Sequence, residues 1–456
     1  MRDSLKRELI SIVGDKRASD RPEDLVVYSY DAYTVESLPD LVLFPTSTEE
    51  VVRIMKIAYR ENIPVTARGA GTNVAGESVP VRGGIALVFT RMDRILEIDA
   101  GNRRATVQPG VITNDLQQAA ARLGLMYPPD PSSLMVATIG GNVATNAGGP
   151  RTVKYGVTSN YLLGLRVVLA DGRVLETGSG KESPGFSYDL TNLICGSEGT
   201  LGLVTRIAVR LIPAPAATRT LRAHFARLDD CGRAVAAIIR QGIVPTALEL
   251  MDRGITREVE QVGRLGLPLD AEGVLLIEVD GEPESLENQV ERIKRVLADH
   301  HASGILAARD GEEADRLWAA RRLAFSAMAR LRPNSVTEDA TVPVSKLPAM
   351  IEKVREIAER HHVQIGVLAH AGDGNLLPLI LFDRRDEEEV RRVEAASQEI
   401  FREALAMDGT LSGEHGIGLA KAPFLPLQLD PVARTVTRSL KRALDPKGIL
   451  NPGKFL

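Results

Sequence analysis

PVTARGAGTNVAG, residues Pro64–Gly76, and ATIGGNVATNAGGPRTVKYG, residues Ala137–Gly156, are the two stretches on which the reading of this chain turns. In the first, Gly69 and Gly71 permit a tight turn whose amide hydrogens form a concave anion site. Arg68 and Thr72 add the charge and hydroxyl that a diphosphate requires. Gly69-Ala70-Gly71 also begins the G-x-G-x-x-G of a dinucleotide fold, but the third position is Val74 and no amphipathic helix follows. On this segment alone a structural turn and an anion site both remain open. The second stretch interleaves Gly140, Gly141, Gly148, Gly149 and Gly156 with Thr138, Asn142, Thr145 and Asn146. Read as a run without secondary structure, it carries more backbone polar groups than a core segment tolerates, and a bound polar cofactor would satisfy them. Glycine is entropically costly, so such density marks close approach of backbone to a ligand.

Working outward, three further places share that composition: YPPDPSS (Tyr127–Ser133), CGSEGTLGLVTRI (Cys195–Ile207), and the pair AHAGDGNL and SGEHGIG near the C-terminus. Between them the first half reads as strands and short helices. Ser47 with Glu50 forms a capping box before a helix through Val51, Ile54, Met55 and Ala58. Ile63–Thr66 and Gly84–Phe89 read as strands. One hairpin pairs Ile95–Ile98 with Ala105–Val107, and another pairs Leu165–Leu169 with Val174–Thr177 across Asp171-Gly172. A strand over Leu203–Leu211 ends at Ile212-Pro213-Ala214-Pro215, a domain boundary. The second half alternates strands (Val274–Val279, Ser335–Val342, Gln364–Ala369, Leu376–Phe382) with amphipathic helices (Asp229–Gln241, Ser285–His300, Gly311–Leu331, Ser345–His361, Arg385–Ala406). Helices segregated against a mainly antiparallel sheet give an α+β domain.

A chain of 456 residues calls for two or three domains. A net charge of −4 gives nucleic-acid binding no electrostatic support. Cys195 and Cys231 are the only cysteines, which fits a reducing cytoplasm and is too few for an iron–sulfur cluster. The N-terminus lacks a signal-peptide core, and no apolar run approaches bilayer length. Of the seven histidines, His300, His301, His361 and His362 end predicted helices and His224 lies on a predicted strand. His370 and His415 differ, standing beside acidic residues in glycine-rich turns.

Taken in order, P-x-x-x-R-G-x-G-T from Pro64, GGN-x-x-x-NAGG from Gly140, GSEGTLG from Gly196, H-x-GDGN from His370, GEHG from Gly413 and DP-x-G-x-LNPGK from Asp445 form a specific set. Together they resemble the FAD-linked oxidases of the vanillyl-alcohol oxidase type, over nearly the whole chain. The resemblance is nearest to the glycolate oxidase FAD-binding subunits and the D-lactate and D-2-hydroxyglutarate dehydrogenases. It implies an α+β protein: an N-terminal helical segment (1–37), a PCMH-type FAD-binding domain of two α+β subdomains (38–216), and a ferredoxin-like α+β substrate domain (217–456). It implies that Arg68, Gly69, Ala70, Gly71, Thr72 and Asn73 wrap the FAD diphosphate. Pro128, Asp130, Thr138, Gly141, Asn142, Thr145 and Gly148 would flank the ribityl chain and ring. Glu198, Gly199 and Ile207 would lie near the adenosine, with Asn451 completing the site. Some relatives attach FAD through a histidine of the first glycine loop. No histidine occurs between Met1 and Ala223, so FAD is expected to be noncovalent.

The implied reaction is oxidation of a small D-2-hydroxy acid. Its carboxylate needs a planar, bidentate partner, and Arg321 of Trp318-Ala319-Ala320-Arg321 matches the family's W-x-x-R. A proton acceptor is needed for the hydroxyl, and His415, with an ordinary pKa near ~6.5, suits it. Glu414 and Asn375 belong to the same motifs. Metal-dependent relatives read H-x-GDGN-L-H and add the glutamate of EHG to bind a divalent ion that polarises the hydroxyl. Here His370 and Glu414 remain but the second histidine is Leu377, and two ligands make a poor site for zinc or manganese. With no cluster cysteines, electrons are expected to pass to an external acceptor: an iron–sulfur subunit, an electron-transferring flavoprotein, a quinone or oxygen. A partner subunit would also be the chain's route to a membrane. Two competing readings are a flavin-binding electron-transfer or assembly subunit with a decayed metal site, and a non-redox flavoenzyme of the alkylglycerone-phosphate synthase kind.

Overall fold

The computed structural model describes residues Met1–Gly178 and Tyr188–Phe455. They form two compact units, the first from the described parts of Met1–Gly149, Val157–Ala214 and Glu414–Leu456, the second from Pro150–Gly156 and Pro215–Gly413. The residues 217–456 that the sequence reads as one domain are thus shared between the units after Gly413. The N-terminal segment belongs to the first unit, where its helix Asp3–Val13 buries Leu5, Leu9, Ile12 and Val13.

The first unit is built on two larger sheets, with a two-stranded pairing of Leu125–Met126 and Ile212–Pro213 beside them. In the four-stranded one, Leu41–Leu43 and Val65–Arg68 both run parallel to Ile85–Val88, and Ala18–Ser19 forms an antiparallel edge. The helix Thr48–Glu61 covers it, driving Val51, Ile54, Met55 and Ala58 into a core with Leu41, Leu43, Ile85 and Leu87. Each such side chain contributes about 1.5–3 kcal/mol when fully buried. Ser47 Oγ accepts the Glu50 amide at 3.2 Å, as a capping box demands. The return arm differs: the Glu50 carboxylate takes the Thr46 amide at 2.7 Å and the Arg17 guanidinium instead of the Ser47 amide. Both expected hairpins form, Ile95–Asp99 with Arg104–Val107 and Leu162–Val168 with Val174–Gly178. Leu203–Arg210 joins them into a five-stranded antiparallel sheet, alternating buried and half-buried residues along its length as a period-two strand must.

One expectation is corrected here. Ala137–Gly156 is not devoid of secondary structure. Thr138 caps a short helix, Ile139–Thr145, by accepting the Gly141 amide at 3.2 Å, and Asn146 ends it in the left-handed region with φ 52°. A second turn of helix spans Thr152–Tyr155. The two glycines inside Ile139–Thr145 lower its intrinsic helix propensity, which hid it from the sequence pattern.

The C-terminal stretch returns to the first unit for a local reason. Val65 donates to Ile449 O and receives the Asn451 amide, both at 2.8 Å, so the tail runs beside the four-stranded sheet. Asn451 Nδ2 then bonds Glu77 O at 2.8 Å and Glu198 O at 2.7 Å.

The second unit is a sheet in which every strand pairing is antiparallel, in the order Ser303–Ala307, Ala217–Phe225, Gly273–Gly281, Ala247–Asp252, Gln364–His370, Asn375–Phe382, Asn334–Thr337, with Ala340–Thr341 also against Asn375–Phe382. The strand read over Ser335–Val342 is therefore two short ones. All residues of Ala247–Asp252 and Asn375–Phe382 are buried, so these strands are covered on both faces. One cover is the helix pair Arg253–Gly263 and Gly311–Met328, which packs Ile255, Val259, Ala320 and Ala324 on Met251, Leu368, Leu377 and Leu379.

Replacing Asn451 by alanine is expected to destabilise the first unit by about 1–3 kcal/mol, because two buried carbonyls lose their donor. Equilibrium urea unfolding followed by tryptic nicking of the C-terminal segment measures it.

Candidate functional site

In the first unit the glycine loops converge. Ser133 Oγ lies 3.5 Å from Thr72 Oγ1, joining the loops Pro64–Gly76 and Tyr127–Ser133. Gly69 approaches Thr138 so closely that a Cβ at Gly69 would stand 2.3 Å from Thr138 Oγ1. Gly71 has φ +74°, and a Cβ there would meet the Arg68 guanidinium at 2.1 Å. Some of the same residues line a cleft. Its walls include Arg68, Gly69, Thr138, Gly141 and Gly199, all expected from the sequence. They also include Phe89, Pro109, Ile194, Leu203 and Val204, which sequence reasoning missed. Those apolar residues carry no motif; only their place at strand ends beside the glycine loops marks them.

Other expected cofactor residues are placed differently. Arg68 turns its guanidinium to Tyr30 O at 2.5 Å and over the Tyr28 ring. Asn73 holds Asp31 and Glu77, the latter at 2.6 Å. Asn142 Nδ2 bonds Thr113 Oγ1 at 2.8 Å, and Thr145 Oγ1 bonds Gly141 O at 3.2 Å. Ile207 is wholly buried in its strand opposite Val107 and Leu165. Asn451 is engaged on Glu77 and Glu198 as described. Ala70, Pro128, Asp130 and Gly148 are not among the cleft-lining residues, and Pro128 and Asp130 are buried in a loop that Gln117 holds through Tyr127 O and Pro129 O.

Glu198 has φ +53° and accepts the Ile417 and Gly418 amides at 2.7 and 2.9 Å. This fixes the GEHG turn, in which Glu414 Oε1 lies 3.8 Å from His415 Nε2. Gly416 must be glycine, since a Cβ would sit 2.8 Å from Glu77 Oε1 and 2.9 Å from Glu198 Oε1. Burial, and then the Glu198 charge, push the Glu77 carboxyl up to about 8; burial also raises Glu198, against the Ile417 and Gly418 amides and the charges of Lys421 and Lys454.

In the second unit Arg321 is 5% exposed, on the helix Gly311–Met328. Its Nε donates to Glu249 Oε2 at 2.7 Å, while Glu249 Oε1 lies 2.6 Å from His370 Nδ1. Burial alone would raise the Glu249 carboxyl, but the charges of His370 and Arg321 outweigh it and hold it below the usual carboxylate range. Arg321 Nη2 is buried and has no hydrogen-bond partner among the described residues. One turn earlier, Trp318 Nε1 donates to Glu278 at 2.8 Å. Asn375 Oδ1 accepts from Thr341 Oγ1 at 3.1 Å. Glu249 was not anticipated, although a lone carboxylate in the apolar run Leu248-Glu249-Leu250-Met251 is the signal that could have found it.

The metal reading does not fit. Leu377 packs with Met251, Leu368 and Leu379 in the apolar core, and His370 gives Nδ1 to Glu249. Among the described residues no three His, Cys, Asp or Glu side chains are arranged to hold a metal ion.

The chain matches a family model of FAD linked oxidases, C-terminal domain, over residues 214–455, and an FAD binding domain over residues 39–178. It is 44% identical to the glycolate oxidase subunit GlcD of Bacillus subtilis, over 99% of this chain and 96% of that one. It is 34% identical to a D-lactate dehydrogenase of Anaerostipes hadrus, over 97% and 94% respectively. The solved structure of p-cresol methylhydroxylase with substrate bound shares the fold, with a TM-score of 0.83 at 19% identity, over 99% of this chain and 96% of that one. The cofactor is FAD, and the first unit suits it: a cleft walled by apolar side chains and by glycine backbone, with Arg68 as its charged member.

Two measurements follow from these environments. A carboxyl with a raised folded-state value contributes stability that is complete below its unfolded value near ~4.5 and is lost as pH rises toward about 8. Stability of the first unit is therefore expected to fall over that window, with Glu77 contributing up to about 1.4 kcal/mol per pH unit. Glu77→Gln removes that share, and urea midpoints at pH 5 to 8 compare the two proteins. Calorimetric titration with Zn²⁺ or Mn²⁺ is expected to show only weak binding, and chelators are expected to leave flavin reduction unchanged; tight stoichiometric binding would show that another side chain replaces the missing ligand.

Proposed function

The chain belongs to the FAD-linked oxidases, and on that premise we propose that it oxidises a small D-2-hydroxy acid, of the glycolate, D-lactate or D-2-hydroxyglutarate class, to the 2-oxo acid. Bound FAD would supply the hydride acceptor. The observation that carries the reading is Arg321: a buried guanidinium, one edge held by Glu249, with Nη2 unpartnered. An unsatisfied buried N–H of a charged group is costly, and a substrate carboxylate would satisfy it with a charge-assisted bond. His415, fixed in the GEHG turn beside Glu414, is the residue proposed to take the hydroxyl proton. Asn375 is assigned to the substrate side with Arg321. A decayed electron-transfer subunit would have no reason to keep a buried, half-satisfied arginine.

The B. subtilis relative is named as a subunit, which supports electron delivery to a separate acceptor: an iron–sulfur subunit, an electron-transferring flavoprotein or a quinone. No helix among the described residues is long and apolar enough to cross a membrane, and both cysteines are free thiols, which supports a cytoplasmic site of action with membrane access through a partner.

Anaerobic addition of glycolate, D-lactate or D-2-hydroxyglutarate is expected to bleach the bound flavin. His415→Asn is expected to keep flavin content and slow the bleaching on the order of 10²–10⁴-fold. Arg321→Lys is expected to raise the substrate concentration needed, since an ammonium cannot reproduce the planar fork. If no hydroxy acid reduces the wild-type flavin, the substrate class is wrong.

A further inference from the structure

Glu249 stands where a charge is least expected. Its strand, Ala247–Asp252, is buried at every residue, and Leu248 and Leu250 flank it. A carboxylate in such a place persists only when both oxygens are matched, and here each oxygen has one partner: Oε1 faces His370 Nδ1 and Oε2 receives Arg321 Nε. The three groups come from three elements. Glu249 and His370 are direct register partners across neighbouring strands, and Arg321 descends from the helix that covers them. The sheet therefore fixes the Glu249–His370 pair, and the carboxylate in turn fixes the arginine.

We propose that Glu249 is a positioning residue for the oxidation: it takes the Nε edge of Arg321 so that the terminal nitrogens are the ones offered to the substrate carboxylate, and it sets the orientation of the His370 ring. This rests on the assignment of Arg321 to the substrate carboxylate. A guanidinium can bind an anion through its Nε–Nη side or through its two terminal nitrogens. Once Glu249 occupies Nε, the arginine is held against rotation and its Nη2 edge becomes a fixed donor. The same carboxylate, 2.6 Å from His370 Nδ1, fixes which edge of the imidazole faces the pair. Both consequences are geometric, so they act on how tightly and in what pose a hydroxy acid is held.

The test compares wild type, Glu249→Gln and Glu249→Asp as FAD-loaded proteins. The glutamine keeps the volume but loses the charge and offers His370 an N–H or an oxygen, not both partners at once. Its KM for the hydroxy acid that best reduces the wild type is expected to rise 10- to 100-fold with flavin content unchanged, while the melting temperature falls because Arg321 loses its buried counter-ion. Glu249→Asp retains the charge on a shorter arm and is expected to recover part of that loss. A carboxylate that merely ties helix to sheet would lower the melting temperature and leave KM unmoved, and that unmoved KM would overturn the proposal. Oxalate binding by calorimetry gives a second readout independent of turnover, and its affinity is expected to fall by a similar factor in Glu249→Gln. Should no hydroxy acid reduce the wild type, the substrate assignment fails on that control alone, and the oxalate comparison still decides whether Glu249 orients Arg321. Equal oxalate affinity in wild type and Glu249→Gln would refute it.

Discussion

Asn451 is the residue on which the first unit closes. Its amide joins Val65 O, its carboxamide nitrogen bridges Glu77 O and Glu198 O, and its carboxamide oxygen accepts Lys454 Nζ at 3.1 Å. Three stretches far apart in the chain, around Val65 and Glu77, at Glu198 and at Asn451–Lys454, are thereby held at one point. Glu198 continues the chain of dependence, because the backbone whose carbonyl meets Asn451 carries the carboxylate that captures Ile417 and Gly418. The GEHG turn is therefore shaped by groups of the first unit, and the segment that sequence order assigns to the substrate domain is folded by the cofactor domain. Buried backbone carbonyls must find donors, and a single asparagine supplying two of them is hard to replace.

The two units solve opposite electrostatic problems. The cleft of the first is walled by glycine backbone and apolar side chains, which suits the planar ring system of a flavin cofactor. The second presents a buried cation whose charge is only partly answered from within. Glu249 neutralises Arg321 formally, while Nη2 has no hydrogen-bond partner among the described residues.

Much of this was legible in the sequence. The Ser47 side-chain cap, both hairpins and the Pro213-Ala214-Pro215 break are local signals, and each lies where local physics places it, although Glu50 does not close the capping box. The short helix Ile139–Thr145 was not legible, because Gly140 and Gly141 oppose helix locally and only the Thr138 cap and tertiary contacts offset them. The return of the C-terminal segment was hidden for another reason: hydrogen bonds between Val65 and Asn451 leave no trace in either segment's periodicity. At the sites, motif residues such as Arg321 and His370 could be named, but their pairing through Glu249 could not, since register across a sheet is a property of the assembled unit.

The replacement at Leu377 then has a structural meaning. Leu377, Leu379 and Leu381 are all packed in one apolar cluster with Met251 and Leu368, and the same strands carry Glu249 and His370 just beyond it. The apolar core thus runs up to the charged set with no ligand-bearing side chain between them. A divalent ion there would bring two positive charges beside Arg321, while Glu249 is already shared between two partners. Coulomb repulsion between a metal and a fixed guanidinium in a low-dielectric interior is large unless carboxylates intervene. Leucine at 377 and the Arg321–Glu249–His370 arrangement are therefore mutually consistent: the core offers no ligand at 377, and the buried charges beside it are already paired with one another.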